Sequence, residues 1–117
     1  TNTTKEFRIA ELIREKVLRL TNDEVPHAVT CVVEEFIEKK DKAIVNATII
    51  VERDSLKRII IGRQGAMLKE IGSKARKDIE QLLKKHVYLE LFVRVEEDWR
   101  NQDKSLKTFG YKTDKRR

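Results

Sequence analysis

The sequence predicts an α+β domain in which helices pack on one face of a three-stranded mixed sheet. Apolar residues recur at helical spacing near the start of the chain and again after residue 66, and they alternate over residues 43–53 and 86–95. Two helical stretches lie between the second and third strand-like runs, a crossover long enough to make those strands parallel. The order reads helix–strand–strand–helix–helix–strand–helix, which suits a sheet covered on one side.

Each element has its own signal. Thr3 followed by Glu6 fits a capping box for the first helix. Ile9, Ile13, Val17 and Leu20 form its apolar face. Thr21–Pro26 interrupts it with turn formers. Residues 28–38 read as a strand, with Val29, Cys31, Val33 and Ile37 facing inward and Val32 and Phe36 mixed in. Lys39–Lys42 makes a hairpin connection. Residues 43–53 form a second strand, apolar enough to be central, with Ala43, Val45, Ala47, Ile49 and Val51 on one face. A short helix spans 55–61, with Asp54 or Ser55 as its N-cap. Leu68, Ile71, Ala75, Ile79 and Leu82 give the next helix a core-facing stripe. Gly72 inside it costs helix propensity, so it reads as a close-packing position. Residues 86–95 alternate as a third strand, with Val87, Leu89, Leu91, Val93 and Val95 on one side. A last helix is expected within 96–111, anchored by Trp99, Leu106 and Phe109, and a disordered basic tail at 112–117. Residues 1–111 are thus expected to form a single domain.

Composition narrows the function. The 117 residues are 39% charged and 6% aromatic, so the core must be aliphatic. No apolar run is long enough for a membrane span, and no secretory signal opens the chain. The lone Cys31 cannot form an internal disulfide, which fits a reducing compartment. Net charge is +6, unevenly placed. Residues 54–77 hold seven basic and two acidic side chains, and residues 112–117 hold four and one. The remainder is close to neutral. A basic excess gathered on one short segment points to a polyanion partner.

Catalytic patterns are lacking. His27 and His86 have no patterned Cys, Ser or carboxylate partner, and no paired-histidine or nucleophile-elbow motif occurs. A phosphate-binding Walker loop fails because no Gly-Lys-Ser/Thr follows Gly62. Glu34, Glu35 and Glu38 read as a solvated strand face. No metal and no cofactor is expected.

The informative stretch is Gly62-Arg-Gln-Gly65. Gly62 stands where a helix end wants positive φ. Gly65 lets the backbone approach a ligand. The following helix adds the positive end of its dipole, so the loop suits phosphate. Arg63 and Gln64 point outward to meet it. Ile59–Ile61, Ala66 and Met67 supply an aliphatic floor for bases. Lys57, Arg58, Ile61, Ala66, Met67 and Lys69 are the expected neighbours of the loop in the groove. A stacking platform would need strand aromatics; Tyr88 and Phe92 are the candidates for it, and we read them as core or interface residues.

The pattern I-I-G-x-x-G-x-x-L between two helices resembles the signature of KH domains. More specifically, the chain resembles the C-terminal KH domain of the bacterial Era GTPase family. The resemblance runs from about Glu6 to Tyr111. It rests on Ile13-Arg-Glu-Lys-Val-Leu-Arg-Leu-Thr21, Glu24-Val-Pro26, Val51-Glu-Arg-Asp-Ser55, Ile59-Ile-Ile-Gly-Arg-Gln-Gly-Ala66, Ala75-Arg-Lys-Asp78, Leu89-Glu-Leu91 and Asp98-Trp-Arg-Asn101. It implies a type II KH fold and binding of single-stranded RNA at the 3′ end of 16S rRNA, in support of 30S subunit maturation in the cytoplasm. It also implies an N-terminal GTP-hydrolysing domain, whose motifs this chain lacks. No enzymatic activity is therefore expected here. The alternatives are the KH domain of another bacterial RNA-binding protein, such as a stand-alone KH protein or a transcription factor, and a basic module that contacts protein or the anionic inner face of the cell membrane.

Overall fold

The structure, a computed structural model, describes residues 3–22, 25 and 29–97. The elements are α1 (Thr3–Leu20), β1 (Val29–Glu38), β2 (Lys42–Val51), α2 (Asp54–Ile61), α3 (Ala66–Leu83) and β3 (His86–Val95), with one 3-10 turn at Arg63–Gly65. The last helix and tail expected from the sequence, the side chain of Thr3, and residues Pro26 and His27 lie outside the described residues.

β2 is the centre of the sheet, antiparallel to β1 and parallel to β3. Its inward face, Ala43, Val45, Ala47, Ile49 and Val51, is fully buried. Ile9, Ile13 and Val17 of α1 and Ile71, Ala75 and Ile79 of α3 cover it. The two helices are also tied to each other. Lys16 Nζ of α1 meets Asp78 Oδ2 of α3 at 2.5 Å, although Lys16 is only 8% exposed. Arg14 Nε donates to Val29 O at 2.8 Å and pins α1 to the start of β1.

Several details depart from the sequence reading. In β1 the register slips between Val33 and Glu35, leaving Glu34 as an extra residue. That bulge reverses the side-chain phase. Phe36 therefore packs on the core, and Ile37 turns outward. Helix α2 begins at Asp54, with Arg53 as N-cap and no side-chain cap; Asp54 instead pairs with Arg58 one turn on, at 2.7 Å. Leu83, not Leu82, completes the buried stripe of α3, because spacings of four from Ile71 arrive there.

The outward face of the sheet carries no described helix. Tyr88 and Phe92 stand on it at 54% and 49% exposure, beside Val32 and Ile37. They are not core residues. Gly72 is not demanded by packing either. A Cβ there would meet Leu91 Cδ1 at 3.6 Å, an ordinary van der Waals contact.

Candidate nucleic-acid interface

The turn between α2 and α3 is built by backbone conformation. The N–H of Gly62 donates to Arg58 O at 2.8 Å and closes α2. Its φ of 75° and ψ of 178° lie in a region open essentially to glycine alone. A Cβ would also stand 2.6 Å from Met67 Cβ and 2.8 Å from Met67 N. Gln64 (φ 56°, ψ 27°) and Gly65 (φ 79°, ψ 8°) are both left-handed, and Gly65 N–H donates to Gly62 O at 3.2 Å. A right-handed residue followed by left-handed ones turns successive N–H groups to one side, a concavity that suits an anion. The first turn of α3 adds its own N–H groups, with no side-chain cap and no acidic residue to compensate them. The Cβ position of Gly65 faces open space.

The charges around this turn are available. Arg63 and Lys69 are exposed and Lys57 is half-buried, and none has an ion-pair partner among the described residues. Arg58 is committed to Asp54. Gln64 and Ala66 are exposed, while Ile61 and Met67 are half-buried. Ile60 is fully buried in the core and offers nothing to a base, unlike its place in the expected floor.

From the turn a groove of about 460 Å³ runs between α3 and β3. Gly65, Leu68, Lys69, Gly72, Ser73 and Arg76 line its helix side, and Leu89, Glu90 and Leu91 its strand side. Of the residues named from sequence, only Gly65 and Lys69 line this groove. Arg63 and Gln64 precede Gly65 in the turn where the groove begins, and Lys57, Arg58, Ile61, Ala66 and Met67 flank that turn along the chain without lining the groove. Leu68, Gly72 and Arg76 share one helical face at four-residue spacing, a signal masked in the sequence because Leu68 also fits the core-facing stripe and Gly72 a packing position. The strand side carries no such signal, because only the tertiary fold brings β3 beside α3.

Chemically, the groove has two zones. Half-buried Leu68, Leu89 and Leu91 offer an aliphatic surface to flat bases. β3 is an edge strand, and Glu90 faces away from its neighbours Leu89 and Leu91. A groove touching all three reaches over the strand's outer edge, along which no described strand pairs. One turn beyond Arg76, outside the groove lining, Glu80 ties α3 to the start of β3. It accepts from Val87 N–H at 2.9 Å and Arg76 Nη1 at 3.1 Å, and the backbone hydrogen bond first, then Arg76, holds its carboxyl below the usual range.

A family model described as "KH domain" matches residues 24–100. The chain belongs to the KH domain family. Among curated relatives, this KH domain is 54% identical over 112 residues to GTPase Era of Geotalea daltonii and 55% identical over 113 residues to that of Geobacter metallireducens. Each alignment covers 95% of the chain but 38% of the relative, so the chain spans well under half the length of the proteins it matches. Two solved structures superpose at 40% identity over 92% of this KH domain and 37% of the neighbour. One is Era from Aquifex aeolicus bound to GDP and AlF4−, with a TM-score of 0.79. The other is Era in complex with MgGDPNP and nucleotides 1506–1542 of 16S ribosomal RNA, with a TM-score of 0.80.

Proposed function

We propose that this KH domain binds single-stranded RNA, with the 3′ end of 16S rRNA as its target, as part of an Era-like GTPase that assists maturation of the 30S subunit. The observation that carries the reading is the turn at residues 62–65. There, aligned N–H groups and an uncapped helix start meet Arg63 and Lys69, which have no ion-pair partner among the described residues, where an aliphatic groove begins. The phosphates dock on the turn, and the bases lie along Leu68, Leu89 and Leu91. The Era neighbour crystallised with a 16S rRNA fragment supports the choice of target. Hydrolysis of GTP belongs, in this reading, to the part of the longer relatives outside the matched region. We take residues 1–111 as the domain.

The test is the double variant Arg63→Asp/Gln64→Asp. It abolishes binding to a short oligonucleotide of the rRNA 3′ end while the circular dichroism spectrum stays unchanged. Binding that survives moves the site away from the turn. Wild-type affinity should fall with salt, with a log–log slope of about −0.7 per phosphate neutralised. No described helix is long and apolar enough to cross a membrane. Contact with the inner membrane face would therefore be peripheral and electrostatic. Binding to anionic vesicles and to RNA at matched salt separates the two.

A further inference from the structure

The chain carries a second basic surface, at the end of the molecule opposite the glycine turn. The hairpin between β1 and β2 and the turn between α3 and β3 lie side by side there. Lys42 and His86 are register partners, and Lys85 Nζ donates to Lys39 O at 2.8 Å. Lys5 of α1 reaches the same place. Its Nζ is 2.9 Å from Glu38 Oε1, while Lys85 Nζ is 3.0 Å from Glu38 Oε2. One carboxylate thus holds two ammonium groups. Lys39, Lys40, Lys42 and Lys84 have no ion-pair partner among the described residues, and Asp41 is the one other acid in the hairpin connection.

The bland reading is that lysines after α3 offset its dipole and lysines at the hairpin keep it soluble. Two observations go further. Lys84 occupies a left-handed position (φ 60°, ψ 40°) that closes α3 and that glycine would fill at lower cost. More telling is the groove, since α3 and β3, its two walls, are joined by this turn. The groove therefore runs from Gly65 to Arg76 in the direction of the lysine cluster, which begins some 12 Å beyond Arg76 along the helix at about 1.5 Å per residue.

We propose that this cluster is a second RNA contact, gripping the phosphate backbone of the strand as it leaves the groove. The proposal rests on the reading that RNA occupies the groove. The cluster has a phosphate-binding chemistry without base readout, so it should add affinity and not sequence preference.

The test uses the full 117-residue chain and a short 16S rRNA 3′-end oligonucleotide, alone or with a uridine arm on its 5′ or its 3′ end. An arm at one end should tighten wild-type binding. In Lys39→Ala/Lys40→Ala/Lys84→Gly that gain, about tenfold at low salt, disappears, the log–log salt slope on the armed RNA shrinks by about 2, and affinity for the short oligonucleotide is kept. Should thermal unfolding show that the triple variant is damaged, the hairpin pair Lys39→Ala/Lys40→Ala must lose part of the gain. The proposal is overturned if neither arm helps the wild type, or if the gain survives the substitutions. It is also overturned, in favour of a lipid partner, if the variant loses binding to phosphatidylglycerol vesicles but keeps the arm's gain. Short-oligonucleotide binding that survives Arg63→Asp/Gln64→Asp sinks the groove reading instead, and an arm gain that still depends on the lysines would then stand by itself.

Discussion

Gly62 and Gly65 look equivalent in the sequence but do different work. Gly62 is required by the fold, because its φ/ψ is closed to other residues and a Cβ would strike Met67. Gly62→Ala should lower stability by about 1–3 kcal/mol or more, read from denaturant unfolding. Gly65 has nothing within 4 Å of its Cβ position and a plain left-handed conformation, which asparagine tolerates. Gly65→Asn should therefore unfold close to wild type yet bind RNA weakly, because its side chain enters the space a phosphate needs. Cys31 is the other residue whose environment decides its chemistry. Burial first, then Glu11 and Glu34, pushes its thiol up to about 12. It stays protonated at neutral pH, so iodoacetamide should label the unfolded chain and spare the folded one.

Among the elements, α3 has to satisfy two partners. Ile71, Ala75, Ile79 and Leu83 bury one face against the sheet, while Leu68, Gly72 and Arg76 line the groove. Gly72 marks the conflict. The helix would gain up to about 1 kcal/mol from alanine there, and Leu91 leaves room for the methyl group. The missing side chain keeps the groove deep. Gly72→Ala should raise the melting temperature and weaken RNA binding at once, a combination that a purely structural glycine would not give. β1 shows how an element can escape its own pattern. Its alternation was readable as far as Val33, but a bulge at Glu34 depends on pairing with β2, which nothing within β1 encodes.

For the whole molecule, charge matters by place. Arg63, Lys69 and Arg76 follow the helix–turn–helix segment, whereas the lysines of the hairpin and of the α3–β3 turn are about 45 residues apart in the chain and meet only in the fold. Glu38 joins α1, β1 and the α3–β3 turn. Hydrogen bonds from Lys5 and Lys85 hold its carboxyl below the ordinary value of 4.5. A depressed folded value means stability that is present above the unfolded pKa and is lost as pH falls through the folded one. Melting temperature should therefore decline below about pH 4.5, and Glu38→Gln should make that decline shallower.

Residue pattern alone announces the order of the described helices and strands, the parallel crossover, the central place of β2 and the glycine turn. Each of these rests on local periodicity or on backbone chemistry within a few residues. Folding was needed to make β3 the second wall of the groove, to leave Tyr88 and Phe92 exposed, to place Ile60 in the core and to bring distant lysines to one surface. Those outcomes depend on which strands pair and in what register, and pairing joins residues whose separation along the chain carries no local signal.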